Sequence, residues 1–299
     1  MDERSVLLRL GRFPAGLWLL PPSALEETVR RGELASGNGL AAPILQAGSG
    51  RPYALLDGRT AALLTVWHGT ELPRTEMERE MTAIAGFLGR LRRLFERSGA
   101  EASPGPKRPW VESWRERLRR LETFASLAAR RLHPTEFDRV FLARFETLRE
   151  EAERSLLGLE AAAHCITSGV GLDRVERSLF YQRGDGGMGL KSPIGLAAAE
   201  PMRDLHRLFA RYLPRTGFHP RAAASALAAY AAEHLPAREE LALLAAALRF
   251  PEDYYRLACR YFLNGESWPL RTFLRRERRI WAAEAARRAL VEEIPFLLS

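Results

Sequence analysis

The sequence is poorest in lysine and cysteine. Of 45 basic residues only Lys107 and Lys191 are lysine, and the cysteines are Cys165 and Cys259 alone. Two cysteines in no ligand spacing exclude a disulfide framework and a cysteine-held zinc site. Histidine is also sparse, and its six positions from His68 to His234 show no metal-ligand spacing. Long apolar runs are missing too. The stretch Gly16 to Pro21 falls far short of the roughly 20 residues that a membrane-spanning helix needs. Met1-Asp2-Glu3-Arg4 lacks the basic start and apolar run of a secretory signal, so a cytoplasmic location and no membrane span are expected.

What is present is a globular composition over 299 residues, enough for one or two domains with a full core. The formal charge of +8 invites an anionic partner. Most arginines are dispersed along helical segments, however, where they read as solvated faces, and nucleic acid is not an expected partner. The densest basic group, Arg271, Arg275, Arg276, Arg278 and Arg279, leaves an acidic or phosphate-bearing partner open.

The first seventy residues read mostly as strands. Ser5–Leu10 and Gly16–Leu20 suggest a hairpin around Gly11 to Ala15. Ser23 to Leu34 reads as a helix, with Ser23 as N-cap and Glu26 completing a capping box. Pro43–Gln46, Tyr53–Leu56 and Ala61–Trp67 read as further strands, the last two joined by an Asp57-Gly58 turn. After Gly69 the period becomes helical over Thr75–Arg97, Val111–Leu132 and Thr135–Ala163, interrupted by a Pro/Gly/Ser-rich loop at 99–109. Ser178–Gln182 reads as a strand and residues 183–189 as a turn. From Glu200 onward the chain is helical, broken near Pro214, Pro236, Pro251 and Pro269. The glycine pattern at 184–189 imitates a dinucleotide fingerprint, but no helix follows it directly, so it reads as a hairpin turn.

Three sets of residues carry a resemblance. They are the strings Arg51-Pro52-Tyr53, Asp57-Gly58-Arg59 and Leu63 to Glu71; then Met202-Arg203-Asp204-Leu205; then Phe250 to Arg256 with Tyr261, Trp268 and the arginine-rich helix. In this order the chain resembles the bacterial spore-coat kinase-like family. That family is a branch of the aminoglycoside phosphotransferase and protein-kinase-like superfamily. The resemblance implies an α+β, two-lobed kinase-like fold. A small truncated β-rich N-lobe would span residues 1–69. A large helical C-lobe would span 70–299, with a degenerate catalytic hairpin near 168–195.

Phosphoryl transfer needs a lysine on the phosphates, carboxylate- and amide-held Mg²⁺, and a carboxylate facing the acceptor hydroxyl. Aligned by the resemblance, Leu20 stands at about the lysine position, and no lysine precedes Lys107. Little chain precedes Ser5, so a shortened nucleotide-covering loop is expected. In the catalytic loop Gly171 and Leu172 replace His and Gly, Asp173 keeps the catalytic acid, and Ser178 replaces the metal-binding Asn as a weaker oxygen ligand. The metal acid should fall at Lys191-Ser192-Pro193, where no carboxylate stands. Asp204 matches the helix acid that, in the family, hydrogen-bonds the catalytic loop.

The expected function is therefore a catalytically inactive kinase-like scaffold, a pseudokinase. It would bind a partner protein, as a spore-coat or sporulation component, with no cofactor and no metal site. One alternative is a phosphotransferase using Asp173 as base with ATP and Mg²⁺. The other is an anionic-polymer binder acting through the C-terminal arginines.

Overall fold

The computed structural model describes residues 5–10, 13–47, 49–56, 60–72, 76–99, 110–165, 169–172, 174–263 and 268–298. The Asp57-Gly58 turn, residues 100–109 of the expected loop and Asp173 lie outside these. The chain opens with β1 (Ser5–Leu10), β2 (Phe13–Leu20), α1 (Leu25–Gly37), β3 (Ala54–Leu55), β4 (Ala61–Val66) and β5 (Gly69–Glu71). Three helices follow, α2 (Met77–Arg97), α3 (Trp110–Arg130) and α4 (Glu136–Ala161). Then come β6 (Gly169–Leu172), β7 (Phe180–Arg183), β8 (Met188–Leu190) and β9 (Leu196–Ala199). The remainder is helical: α5 (Pro201–Tyr212), α6 (Pro220–Ala231), α7 (Arg238–Arg249), α8 (Glu252–Phe262), α9 (Leu270–Ala282) and α10 (Glu284–Glu293).

Two compact units result. The first takes in residues 1–104, 168–204 and 229–234; the second takes in 105–167, 205–228 and 235–299.

In the first unit, antiparallel strands pair in the order β1-β2-β4-β3. Leu20, Ala61 and Leu63 from this sheet bury against Leu25 and Val29, one turn apart on α1. Two further small sheets, β5-β7-β8 and β6-β9, complete its β content. The buried face of α2 runs through Met81, Ile84, Ala85, Leu88, Leu91 and Phe95, a helical stripe of three-to-four spacing. Near its end Arg92 reaches the Tyr230 hydroxyl (3.3 Å) and Glu96 (2.8 Å).

Four local expectations are corrected. Strand β2 begins at Phe13, so Phe13 to Ala15 belong to the ladder rather than to the turn. The chain enters α1 through a 3₁₀ turn, Pro22–Ala24, which places Ser23 one residue too early to cap; Ala24 holds the N-cap position without a side-chain bond. Residues 43–46 form only one bridge, Ile44 to Thr65, because Pro43 has no N–H to give a ladder. Ser178 lies in a 3₁₀ turn, Arg177–Leu179, and β7 starts at Phe180.

Among the described residues the second unit carries helices and no strand. Thr135 caps α4 through a reciprocal box: its hydroxyl accepts from the Asp138 N–H (3.1 Å), and the Asp138 carboxylate accepts from the Thr135 N–H (2.8 Å). Arg131 joins this carboxylate (3.0 Å) to the Tyr261 hydroxyl (2.7 Å). The core is aromatic. Phe137 and Phe141 of α4 meet Tyr261 and Phe262 of α8 and Phe273 of α9. His206, which sequence leaves without a role, is buried edge-on against Trp110 and Trp114.

Asp253, in the first turn of α8, carries a stability cost. Its position favours the charged form, yet burial pushes its carboxyl above the ordinary value, with Arg256 only partly opposing. A folded-state pKa above the unfolded one means that this group favours the fold in acid and loses that contribution as pH rises through the folded value. Asp253→Asn is therefore expected to stabilise the protein at pH 7, with the gap to the parent narrowing as pH falls towards 4 in urea unfolding. A variant less stable than the parent at pH 7 would contradict this.

Candidate functional site

The segment after β8 holds a buried polar residue of the first unit in several contacts at once. Lys191 extends the hairpin, its N–H donating to the Leu179 carbonyl (2.9 Å). Its ammonium is almost fully buried and donates to both carboxylate oxygens of Glu71, each at 2.6 Å. Glu71 ends β5, directly opposite Tyr181 in the β5–β7 ladder. The ammonium also stands 5.6 Å from the Trp67 ring centroid, a cation–π arrangement, and Trp67 packs with Ala42 and Tyr181. On the backbone side, the Lys191 carbonyl accepts from the Thr65 hydroxyl (2.8 Å), which accepts from the Trp18 indole N–H (2.9 Å). Side chains of β2, β4 and β5 thus hold one residue in place.

This is a cation at the position where the sequence resemblance expects a metal-binding carboxylate. An ammonium repels Mg²⁺, and the nearby acid is already spent on the ammonium. Among the described residues no group of three or more His, Cys, Asp or Glu side chains is arranged to hold a metal ion. The described residues around Lys191 do not fit a resident Mg²⁺ of the kinase kind.

The position expected for the phosphate lysine is filled with hydrocarbon. Leu20 is 6% exposed within the sheet–α1 core, and Trp18 packs against that cluster. In kinases the helix after the lysine strand supplies a carboxylate to that lysine. Here the buried charged side chain of α1 is Arg31, which pairs with Glu27 (2.9 Å) and reaches the Leu196 carbonyl (3.4 Å). Burial pulls the Arg31 guanidinium below its ordinary value.

Asp204, in the first turn of α5, is buried and accepts from the Leu172 N–H at 2.7 Å. A Cβ at position 171 would stand 2.5 Å from the same carboxylate oxygen, so only glycine leaves room for this approach. The contact holds β6 immediately before Asp173, itself outside the described residues. Ser178 is exposed, with its hydroxyl 3.5 Å from Glu176. Glu200 is buried at the entry to α5, 3.5 Å from Arg203. Asp185 accepts from the Gly187 N–H (2.9 Å) and so shapes the β7–β8 turn. Hydrogen bonding and Arg183 hold its carboxyl below the ordinary value.

The Glu71–Lys191 pair and Arg31 are the residues that sequence reasoning missed. One signal was available: Lys191 is one of only two lysines.

No protein-family model matches the sequence, and no curated protein does. Solved structures do. An aminoglycoside phosphotransferase from Alicyclobacillus acidocaldarius superposes with a TM-score of 0.78 at 17% identity, covering 97% of this chain and 91% of its own. A spectinomycin phosphotransferase, solved with ADP and spectinomycin, gives 0.56 at 10% identity, covering 95% and 93%. The choline kinase LicA from Streptococcus pneumoniae gives 0.50 at 14% identity, covering 94% and 89%. At such identities the likeness is one of fold. The chain has the α+β, kinase-like fold of the aminoglycoside phosphotransferases, with a small sheet-bearing lobe and a large helical one.

Proposed function

We propose that this protein is a kinase-like scaffold that does not transfer phosphate and acts by binding a partner protein. The observation that carries the reading is Lys191. At the place where the resemblance expects a metal-binding carboxylate, a buried ammonium is held by Glu71 and Trp67, while the Thr65–Trp18 relay fixes the backbone carbonyl of the same residue. Leu20, packed into the core at the expected lysine position, supports the same reading. A role in spore-coat assembly, and spore-coat components as partners, follow from the family resemblance of the sequence.

One observation favours a second reading. The Asp204 contact to Leu172 keeps the strand before Asp173 in place, which is the frame a catalytic base would need. A phosphotransferase using Asp173 as base is therefore the alternative.

Thermal unfolding with and without ATP and Mg²⁺ separates the two, since a ligand bound by the native state raises its stability. No metal-dependent shift is expected. A Mg²⁺-dependent rise in Tm that disappears in Asp173→Ala would overturn the scaffold reading.

A further inference from the structure

A cavity of about 790 Å³ in the second unit lies among α5, α8, α9, α10 and the turns that join them. Its volume falls in the range of small-molecule pockets. Its lining is unusual in sign. Arg215, Arg256, Arg260, Arg276 and Arg279 all border it, and all are exposed side chains.

Seven arginines line the wall against three carboxylates, Glu252, Asp253 and Glu284, which leaves positive charge in excess. Glu252 is engaged by Arg117 and by Arg256 (2.9 Å), and Glu284 by Arg287 (2.6 Å) and Arg288 (2.9 Å). Asp253, half-buried, interacts with Arg256 and Arg279. Among the described residues Arg215, Arg276 and Arg279 make no salt bridge, although Arg279 interacts at longer range with Asp253.

Two of these arginines are held in position. The Trp268 ring has the Arg260 guanidinium carbon at 3.7 Å from its centroid and that of Arg276 at 4.0 Å. Two groups that close would collide on one face, so the indole stands between them. For Arg276, which makes no salt bridge among the described residues, stacking fixes the planar fork while leaving its N–H edges for oxyanions, which guanidinium recognises two bonds at a time.

The structure also divides the basic run of α9. Arg276 and Arg279, three apart, line the cavity with Ile280 and Ala283. Arg271, Arg275 and Arg278 do not line it, and Arg278 instead faces Glu136 at 4.0 Å. A charged strip for a polymer would use all five arginines. A pocket uses two.

We propose that this pocket binds a small polyanion, a compound carrying two or more phosphate or carboxylate groups.

The test is calorimetric titration of the intact protein with inorganic tripolyphosphate and, separately, citrate. One-to-one binding of at least one of them is expected. It should weaken at least tenfold in Arg276→Ala/Arg279→Ala and less than twofold in Arg271→Ala/Arg275→Ala. Asp253→Asn, which removes the remaining wall carboxylate, should tighten binding. The stronger of the two probes names phosphate or carboxylate as the preferred group. All four arginines are exposed, so both pairs of variants should stay folded, and unfolding curves check this. No binding of either probe, or equal loss in both arginine pairs, overturns the proposal. So does a single-stranded oligonucleotide that binds more tightly than either probe and depends on all four arginines. Because ATP is itself a polyanion, an ATP effect abolished by Arg276→Ala/Arg279→Ala but kept in Asp173→Ala belongs to this pocket. The scaffold reading would then stand untouched.

Discussion

Gly69→Ala is expected to lower stability by about 3 kcal/mol, at the top of the usual range for overpacking. The reason lies in how β5 meets β7. Gly69 pairs with Arg183, and a Cβ there would overlap the backbone carbonyl of Gln182, with the Tyr181 ring also at 3.0 Å. A backbone oxygen in a ladder cannot step aside as a flexible side chain does. The strand would have to lift away, carrying Glu71 two residues on and loosening its grip on Lys191. Urea unfolding measures the loss. Gly184→Ala serves as the control, since a Cβ at that position meets nothing within 4 Å. Equal stability of the two variants would show that the β5–β7 approach is not tight.

Phe137→Ala is expected to cost about 3–5 kcal/mol, the range for truncating a fully buried aromatic ring. Phe137 is 0% exposed, with ring centroids of Tyr261 at 4.4 Å, Phe273 at 5.7 Å and Phe141 at 6.4 Å. Losing it opens a void where α4, α8 and α9 converge. The neighbouring rings are rigid and several are locked by other contacts, Tyr261 by its bond to Arg131 among them. Collapse into the void is therefore limited. Leu157→Ala on the exposed face of the same helix should change stability by less than about 0.5 kcal/mol. A loss below about 1 kcal/mol for Phe137→Ala would mean that the three helices repack freely.

The helices were the most legible part of the chain. Their boundaries at α2, α3 and α4 follow from apolar spacing, and Thr135 and the prolines at 214, 236, 251 and 269 mark ends by local chemistry. Short strands were not legible. β6 reads Gly-Val-Gly-Leu and β9 reads Leu-Ala-Ala-Ala, neither with alternation, and each exists because the other supplies its hydrogen bonds. Ser23 was misread for a related reason: a 3₁₀ entry shifts the N-cap by one residue, and no local pattern announces it.

At the candidate site, the missing lysine before Lys107 and the missing carboxylate near position 191 are facts of residue identity. What replaced them is not. Glu71 and Lys191 are 120 positions apart, and only the β5–β7 ladder brings them together. Likewise the arginines of α9 form one cluster in sequence, but helical rotation turns Arg276 and Arg279 towards the cavity and leaves Arg271, Arg275 and Arg278 outside its lining.

The residues by themselves determined which chemical groups are available, which segments are helical, that no lysine precedes Lys107 and that no carboxylate stands at residues 191–193. Those are properties of identity and local period, which need no distant partner. The tertiary structure decided what stands in their place: an ammonium clamped by a distant carboxylate, a core leucine, and arginines gathered around an aromatic ring. Those are juxtapositions of groups far apart in the chain, fixed by strand pairing and helix packing rather than by any local pattern.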